Sequence, residues 1–362
     1  MGKRYIVTGG AGFIGSHLVD VLLQDPSVAT VGVYDAMTYA GDERNLRGHQ
    51  APRLVTRLGK DGDVCNIDRF AEFVREIKPD GIFHLAAESH VDQSLLNPGK
   101  FQQTNEFGSR NVTNVALEYG IRLLYMSTDE VMGDSEQQGI FTEETPYKPS
   151  SPYSHSKMTE DCYILDTVYR SLLNKNPNML VARPCNQVGP RQQWEKFIPR
   201  VIASAMEGKP VKLYGDGLHE RTWMNVRDCA MALKLLMQEG VGGNAYIIAP
   251  SKKPRSITNR WLAEYILMLM GLADTPIEYI EDRPGHDRRY AMDASKFYEL
   301  ITCWVPKSLM IDILKETIAW YLKPENWQWL RACRARDEEF RKKNYDARKE
   351  HVIGTGSEAP RV

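Results

Sequence analysis

The sequence predicts an α/β protein built on a doubly wound parallel β-sheet. Short apolar runs alternate with longer amphipathic segments over about the first 125 residues, the pattern of buried strands connected by helices. A glycine-rich turn joins the first apolar run to the first amphipathic segment. The chain has 362 residues, of which 42% are hydrophobic, so it is long enough to bury a sizeable core.

The strands and helices of this first part can be placed in order. The apolar runs predict strands at Tyr5–Val7, Val31–Tyr34, Gly81–Leu85 and Arg122–Met126. Apolar residues spaced three and four apart predict helices between them, one containing Ile14, Leu18, Val21 and Leu22, the other Phe70, Phe73, Val74 and Ile77. This alternation is the reason to expect a parallel sheet.

The turn after the first strand has the spacing of a dinucleotide-binding loop. Gly9, Gly12 and Gly15 recur every third residue between the strand and the helix. In such loops one glycine permits the tight turn, one lets the backbone approach a pyrophosphate, and one lets the helix pack on the strand. The pyrophosphate would bind the free amides at the helix N-terminus. A merely flexible turn is the alternative, and the flanking strand and helix argue against it.

An acidic residue indicates which dinucleotide binds. Asp35 ends the second strand, ~20 residues beyond the glycines, where a carboxylate accepts hydrogen bonds from the ribose hydroxyls of NAD and repels a 2′-phosphate. The sequence therefore predicts a Rossmann-type domain that binds NAD rather than NADP. Asp63 is a candidate for the adenine end, with a surface turn as the alternative.

The pattern changes past residue 184, where loops rich in Gly, Pro, Arg and Trp replace the alternating strands and helices. We predict an NAD-binding domain over residues 1–183, to which the chain returns at about 219–249. Residues 184–218 and 250–330 are expected to form a smaller, discontinuous C-terminal substrate domain. Residues 331–362 are dense in charge and predict a solvated helix or tail.

Two groups of residues could carry out chemistry. Tyr153 and Lys157 are four residues apart, so in a helix both lie on one face. A free phenol has a pKa near ~10, and a neighbouring lysine cation, together with the positively charged nicotinamide of NAD⁺, would lower it toward that of a usable base. Thr128, Asp129 and Glu130 follow a strand at the carboxyl edge of the sheet, where two carboxyl groups can divide acid and base roles. An acidic loop that caps a helix is the alternative for this second group.

Charge and cysteine content exclude several classes of protein. The net charge of -1 gives no basic field for nucleic acid, and no apolar run approaches the ~20 residues of a membrane span. Six scattered cysteines without a C-x-x-C pair indicate reduced thiols and predict no metal site. Met1–Arg4 lead directly into a strand, so we expect a cytoplasmic protein without a secretion signal.

Taken together, the motifs resemble the nucleotide-sugar 4,6-dehydratases of the extended short-chain dehydrogenase/reductase superfamily, above all those that act on dTDP-glucose. The resemblance extends from Arg4 to about Tyr321. It rests on TGGAGFIGS (8–16), YDAMTYAG (34–41), HLAAESHVDQS (84–94), STDEV (127–131), YSHSK (153–157), RPCNQVGPRQ (183–192), EKFIP (195–199), GDGLHERTW (215–223) and DRPGHDRRYAMD (282–293). The STDE segment distinguishes dehydratases from epimerases and decarboxylases of the same fold.

The resemblance implies a mechanism. Tyr153, supported by Lys157 and the hydroxyl of Thr128, takes the proton of the sugar 4-hydroxyl while C4 gives a hydride to NAD⁺. Glu130 then removes the C5 proton, and protonated Asp129 donates to the departing 6-hydroxyl. The hydride returns from NADH to C6, so NAD is regenerated in each turnover. An NDP-hexose, expected to be dTDP-glucose, becomes the NDP-4-keto-6-deoxyhexose.

The resemblance also implies two sets of binding residues, beside the catalytic set above. The cofactor set is Gly9, Gly12, Phe13, Ile14, Gly15, Asp35, Asp63, Val64, Leu85, Ala86, Ala87, Thr104, Tyr153 and Lys157. The substrate set is Ser89, Thr128, Asn186, Lys196, Arg221, Arg283 and His286, with Arg221 expected on the diphosphate because a guanidinium matches its oxygens bidentately.

Five positions depart from the family pattern, although the chemistry residues are intact. They are Met132 after STDEV, Gln187 and Val188 after RPxN, and Lys212 and Ser256 in the region expected around the nucleotide base. These departures leave open a UDP-, GDP- or CDP-sugar as the substrate.

Two further alternatives remain open: a 4-epimerase or decarboxylase, which needs only Tyr153 and Lys157, and a non-catalytic NAD-binding sensor. The family also implies a homodimer whose interface is a four-helix bundle. The helical stripe expected in it is Cys162, Leu165, Val168, Tyr169 and Leu172, beside the segment Val112–Tyr119.

Overall fold

The computed structural model describes residues 2–48, 52–171 and 178–341, without the side chains of residues 167–171 and 340–341. Seven strands form its main sheet: β1 (Lys3–Thr8), β2 (Val28–Asp35), β3 (Leu54–Leu58), β4 (Gly81–His84), β5 (Arg122–Met126), β6 (Met179–Pro184) and β10 (Ala245–Ile248). Their order is β10-β6-β5-β4-β1-β2-β3, and every pair is parallel. The predicted doubly wound parallel sheet is confirmed, and the four predicted strands are β1, β2, β4 and β5.

Helices cover both faces of this sheet. On one face α1 packs against α9, and their apolar side chains share a core with the sheet. On the other face α2, α5 and α7 bury a second cluster that includes Phe70, Val112 and Ile164. The bounds are α1 (Phe13–Gln24), α2 (Ile67–Ile77), α5 (Ser109–Glu118), α7 (Pro152–Ser171) and α9 (Val226–Glu239).

A separate apolar cluster forms beside the sheet from later parts of the chain. It contains Val211, Leu213, Ile266, Leu314 and Trp329, with other side chains from the same elements. Those elements and the small sheets near them are β7 (Asn186–Val188), α8 (Phe197–Met206), β8 (Val211–Tyr214), β9 (Glu220–Asn225), β11 (Ser256–Thr258), α10 (Asn259–Leu269), β12 (Ile277–Ile280), α12 (Met310–Leu322) and α13 (Pro324–Arg341). β9 lies between β7 and β11, and β8 pairs with β12.

Only part of the segment 219–249 returns to the main sheet. Of residues 219–249, β9 pairs outside the main sheet, whereas α9 and β10 pack on it and extend it. The charged segment begins as helix, since α13 continues to Arg341, and residues 342–362 lie outside the described part. The division into domains stays a prediction.

Shorter helices fill the connections. They are α3 (Val91–Leu96), α4 (Pro98–Phe101), a π-helix (Gln102–Gly108), α6 (Ser135–Gln138), α11 (Ser295–Leu300) and three 3₁₀ turns at Glu43–Leu46, Gly59–Gly62 and Asp129–Met132. No helix in the described ranges is long and apolar enough to cross a membrane. All six cysteines are described and carry free thiols.

The parallel sheet decides where a site can form. The carboxyl ends of β1, β2, β4 and β5 lie along one edge, and the loops that follow them carry the predicted cofactor and chemistry residues. Open α/β sheets bind ligands at this edge, near the point where the strand order reverses. Here the reversal falls between β1 and β4.

Candidate active site

The glycine-rich loop is tightly packed in two places. Gly9 has φ of 68°, and a Cβ there would lie 2.8 Å from the amide nitrogen of Ala86. A Cβ on Gly15 would overlap the carbonyl oxygen of Gly9. Gly9 is therefore required for the turn, because other residues rarely adopt this φ, and Gly15 is required for α1 to begin directly against the loop.

Gly12 and the start of α1 are arranged to receive an anion. A Cβ on Gly12 would meet only the Gly9 carbonyl oxygen, at 3.2 Å, so its other side is open. No side chain caps α1, and its first turn contains no acidic residue. The amides near Phe13 and Ile14 thus lie at the positive end of a helix, the arrangement that binds a pyrophosphate.

Asp35 lies beside this loop with a fixed carboxylate. It accepts hydrogen bonds from the amides of Ala11 (2.9 Å) and Met37 (2.8 Å) and is only 7% exposed. Burial raises the pKa of Asp35, although both backbone hydrogen bonds favour the ionised form. The glycine loop, the helix terminus and this carboxylate together fit the pyrophosphate and ribose of NAD.

The loop after β4, which contains the predicted Leu85 and Ala86, is fixed by hydrogen bonds to β1. A buried network holds the loop after β4: the Thr8 hydroxyl accepts from the amides of Leu85 and Ala86, each at 3.2 Å, and lies 2.7 Å from His84 Nδ1. Burial lowers the pKa of His84 to about 3, so the ring stays neutral in this network. Neither Thr8 nor His84 was predicted, although both lie in the quoted motifs TGGAGFIGS and HLAAESHVDQS.

The other members of the cofactor set take varied positions. The Asp63 carboxylate accepts from the amide of Cys65 at 2.9 Å, and Val64 is buried in the α2–α5–α7 cluster. Ala87 follows in the loop after β4, and Thr104 is half-buried on the π-helix. Their contact with cofactor stays a prediction.

Helix α7 carries the tyrosine and lysine in its first two turns. Ser151 and Ser154 exchange hydrogen bonds, each hydroxyl accepting from the other's amide at 3.1 and 3.0 Å, which fixes the start of the helix. Tyr153 is 9% exposed and Lys157 is 2% exposed. The Lys157 ammonium lies 4.2 Å from the centroid of the Tyr125 ring.

Burial shifts the pKa values of this pair in opposite directions. Burial raises the pKa of Tyr153, the Glu130 charge raises it further, and the hydrogen bond to Thr128 lowers it. Burial also lowers the pKa of Lys157 to about 8. In the ligand-free protein burial therefore favours the neutral phenol, and the lowering of its pKa by the lysine cation together with the nicotinamide of bound NAD⁺ stays a prediction.

The two carboxyl groups lie in the 3₁₀ turn after β5. The Thr128 hydroxyl accepts from the amide of Glu130 at 3.3 Å and donates to Asp129 at 3.1 Å. Burial, followed by the Glu130 charge, raises the pKa of Asp129 to about 7. Burial raises the pKa of Glu130 as well, but the charges of Arg283, Arg221 and Lys196 oppose that shift. One carboxyl group is thus favoured as an acid and the other as a carboxylate.

Glu130 faces an open cleft that brings most of the predicted substrate residues together. The cleft is lined by Glu130 with Asn186, Lys196, Arg221, Arg283 and His286, and also by His90, Asp92, Trp223, Asn259 and Tyr290, which were not predicted. Ser89 contacts this group through its carbonyl oxygen, which accepts from Lys196 at 2.7 Å, while its hydroxyl lies 3.3 Å from that of Tyr39. Tyr290 lies within the quoted DRPGHDRRYAMD motif and His90 within HLAAESHVDQS, so membership of these motifs is the signal that could have found both.

Two arginines enter the cleft already oriented. Arg221 donates to the carbonyl oxygens of Glu220 and Asp287, both at 2.8 Å, and lies 4.1 Å from the centroid of the Tyr290 ring. Arg283 pairs with Asp92 at 2.8 Å. Such anchored guanidinium groups suit the two phosphates of a nucleotide sugar.

His219, Asp282 and His286 form a compact cluster at the rim of the cleft. Asp282 contacts His286 Nδ1 at 2.7 Å and His219 Nε2 at 3.0 Å. The imidazole rings stack with centroids 3.9 Å apart and planes 15° apart. Two imidazoles on one tetrahedral metal ion approach it from widely different directions, so stacked rings suit the orientation of His286 by Asp282 rather than a metal.

The five departures from the family pattern do not line the described cleft. Met132 is buried in the core shared by α1 and α9, and Val188 in the separate cluster. Gln187 donates to the carbonyl oxygen of Cys185 at 2.9 Å, and Ser256 donates to Glu220 at 2.5 Å. Lys212 is exposed on β8, 3.9 Å from Glu278. Two of these residues, Met132 and Val188, therefore have packing roles. The other two, Gln187 and Ser256, have hydrogen-bonding roles.

Comparisons with known proteins show which family this chain resembles over most of its length. Residues 5–249 match the NAD dependent epimerase/dehydratase family. The chain is 38% identical over 328 residues to the dTDP-glucose 4,6-dehydratase of Mycobacterium tuberculosis, covering 90% of this chain and 95% of that protein. It is 34% identical to dTDP-glucose 4,6-dehydratase 1 of Escherichia coli, covering 90% and 94%. The structure of DesIV (dTDP-glucose 4,6-dehydratase) from Streptomyces venezuelae with NAD and TYD bound is similar at a TM-score of 0.82 and 34% identity, covering 90% of this chain and 98% of that one.

We predict that Asp35→Ala narrows the preference for NAD⁺ over NADP⁺. The substitution removes a charged acceptor for the ribose hydroxyls and should weaken NAD⁺ binding about tenfold or more, while NADP⁺ is relieved of the repulsion between this carboxylate and its 2′-phosphate. Calorimetric titration of both cofactors measures the change. Asp61→Ala, an exposed acid nearby, serves as the control. Equal affinity of the unaltered protein for both cofactors would refute the role of Asp35.

Proposed function

The chain belongs to the NAD dependent epimerase/dehydratase family, and we propose that the residues of its cleft divide the steps of a 4,6-dehydration among them. The protein is a nucleotide-sugar 4,6-dehydratase, an NAD-dependent hydro-lyase related to the curated dTDP-glucose 4,6-dehydratases. One observation carries the proposed division: Asp129 and Glu130 are adjacent, yet the pKa of Asp129 is raised to about 7, whereas three cations oppose the rise that burial causes at Glu130.

Oxidation at C4 is proposed to use α7 and Thr128. When bound, NAD brings a positively charged ring that accepts a hydride from C4 and later returns it to C6. Tyr153 takes the proton of the 4-hydroxyl, and the Thr128 hydroxyl stabilises its phenolate by a hydrogen bond. Lys157 is charged at a pH below its pKa of about 8, and this positive charge favours the phenolate of Tyr153.

Elimination is proposed to use the two carboxyl groups. The 4-ketone acidifies the C5 proton, and Glu130, a base at the cleft surface, removes it. Asp129, which holds its proton up to a pKa of about 7, donates that proton to the 6-hydroxyl, which leaves as water. Glu130 then returns a proton to C5, so the product is the 4-keto-6-deoxy sugar.

Substrate binding is proposed to follow the charges of the cleft. Arg221, Arg283 and Lys196 surround Glu130 on the cleft wall, and their cations would hold the diphosphate. We propose dTDP-glucose as the substrate because the curated relatives above are named for it. A 4-epimerase or decarboxylase would need only Tyr153 and Lys157, and an NAD sensor would need neither carboxyl group.

Substitutions separate the two chemical steps. Tyr153→Phe should abolish oxidation, because no base remains at the 4-hydroxyl, and neither keto intermediate nor product should form. Glu130→Gln and Asp129→Asn should slow elimination by roughly 10²–10⁴ and accumulate a 4-keto sugar that still carries its 6-hydroxyl. Mass spectrometry of the nucleotide sugars after incubation with dTDP-glucose measures each outcome.

Isotope labelling provides the matching positive test for the unaltered enzyme. In deuterated water the product should carry deuterium at C5, because Glu130 exchanges its proton with solvent before returning it. Glu136→Gln, an acid with no place in the cleft, should leave the rate unchanged. A wild-type rate for Glu130→Gln, or a product without deuterium at C5, would contradict the proposed elimination.

The rate of dehydration should fall as the pH rises through about 7. Burial raises the pKa of Asp129 to about that value, so the proton needed by the leaving hydroxyl is present below it and lost above it. A second fall is expected near pH 8, where Lys157 loses its charge. Profiles of kcat against pH should show both, and Asp129→Asn should lose the first fall and keep the second. If both falls persist unchanged in Asp129→Asn, the acid is another group.

We also propose that the enzyme is a cytoplasmic homodimer. The free thiols of all six cysteines fit a reducing compartment. Phe107, just before α5, is 57% exposed, and Cys162 lies exposed on the neighbouring helix α7. Within the stripe expected at the interface, Leu165 instead packs toward the α2–α5–α7 cluster, as does Val112. Leu172 and the side chains of Val168 and Tyr169 lie outside the described residues.

Phe107→Glu should weaken the dimer, because it places a charge in an interface that would otherwise bury an exposed ring. Light scattering at micromolar concentration should give a dimer mass for the unaltered protein and a smaller average mass for the variant. Val241→Glu, at a side chain that is 56% exposed on another part of the surface, is the matched control. A monomer mass for the unaltered protein would refute the dimer.

A further inference from the structure

Trp329 of α13 contacts the loop that follows the cofactor strand β2. Its indole Nε1 donates to the Asp42 carboxylate at 2.6 Å, although 287 positions separate the two residues. The guanidinium of Arg44 lies 4.9 Å from the centroid of the indole ring, and the ring is only 6% exposed. A buried indole that reaches a carboxylate makes one of the stronger kinds of hydrogen bond, because the acceptor is charged.

From Asp42 the hydrogen bonds continue to the cofactor site. The backbone amide of Asp42 donates to the carbonyl oxygen of Ala11 at 3.1 Å, and the Asn45 side-chain amide donates to the same oxygen at 2.8 Å. On the other side of that residue, the Ala11 amide donates to the Asp35 carboxylate at 2.9 Å. Ala11 lies within the glycine-rich loop, so a change at Asp42 reaches both the loop and Asp35.

Helix α13 also packs against other parts of the protein. Trp329 belongs to the apolar cluster beside the sheet, together with Tyr321 and Leu330. Arg334 pairs with Glu207 and lies over the Trp194 ring. Because α13 is anchored in that cluster, it can act as a fixed support for the loop after β2.

We propose that Trp329 is a positioning residue for NAD. By fixing Asp42, it holds Ala11 and the Asp35 carboxylate in the arrangement that receives the pyrophosphate and the ribose. The inference depends on the binding of NAD at this loop and not on the identity of the sugar. It gives α13, the helix that continues into the charged C-terminal segment, a part in cofactor affinity.

Trp329→Phe tests this role because it removes the indole N–H and keeps an aromatic ring in the cluster. We expect NAD⁺ to bind about tenfold more weakly by calorimetry, the size of one hydrogen bond to a charged acceptor. The value of kcat at saturating NAD⁺ and the KM for the sugar nucleotide should change less than twofold. Trp327→Phe, on the same helix and packed on the same cluster, should leave NAD⁺ affinity unchanged.

A second substitution tests the route. Asp42→Ala combined with Trp329→Phe should weaken NAD⁺ binding no more than the larger of the two single changes, because each change removes the same hydrogen bond between the two side chains. Additive losses, equal losses in Trp327→Phe and Trp329→Phe, or unchanged affinity in Trp329→Phe would each overturn the proposal. If the unaltered protein itself failed to bind NAD⁺, the proposed function would fail instead, so the two failures are distinguishable.

Discussion

The structure depends on the partners that neutralise or hydrogen-bond the charged side chains buried by helix α7. Lys157, Glu160 and Asp161 occupy successive inward positions of this helix and are at most 2% exposed. Asp161 pairs with Arg183 of β6 at 2.9 Å, and Glu160 accepts from Thr113 of α5 at 2.7 Å. Losing one partner of a buried pair costs about 3–5 kcal/mol, so the helix has one favourable position against β6 and α5. That position places Tyr153 beside Thr128.

Burial also separates residues of the same type into different chemical roles. Asp129 and Glu130 follow one another in the chain, but only Glu130 faces the cationic wall of the cleft. The same desolvation raises the pKa of Tyr153 and lowers that of Lys157. Since each shift penalises the charged form, burial favours the neutral phenol of Tyr153 and the protonated carboxyl group of Asp129 in the ligand-free site.

The positions that depart from the family pattern lie outside the lining of the cleft. Met132 and Val188 are buried in apolar clusters, where the constraint is volume rather than chemistry. Gln187 hydrogen-bonds within its own segment. The residues that face Glu130 across the cleft are, by contrast, largely those of the quoted motifs.

The sequence by itself determined the parallel sheet, the glycine loop, Asp35 and the two chemical groups, because strand alternation and loop spacing are local properties of the chain. Only the tertiary structure decided the direction of the Tyr153 pKa shift and the split between Asp129 and Glu130, since desolvation depends on what packs around a side chain. It also revealed His90 and Tyr290 in the cleft, the exposed position of Phe107, and the bond from Trp329 to Asp42. Contacts across 287 positions follow from how separate cores pack, which no local pattern encodes.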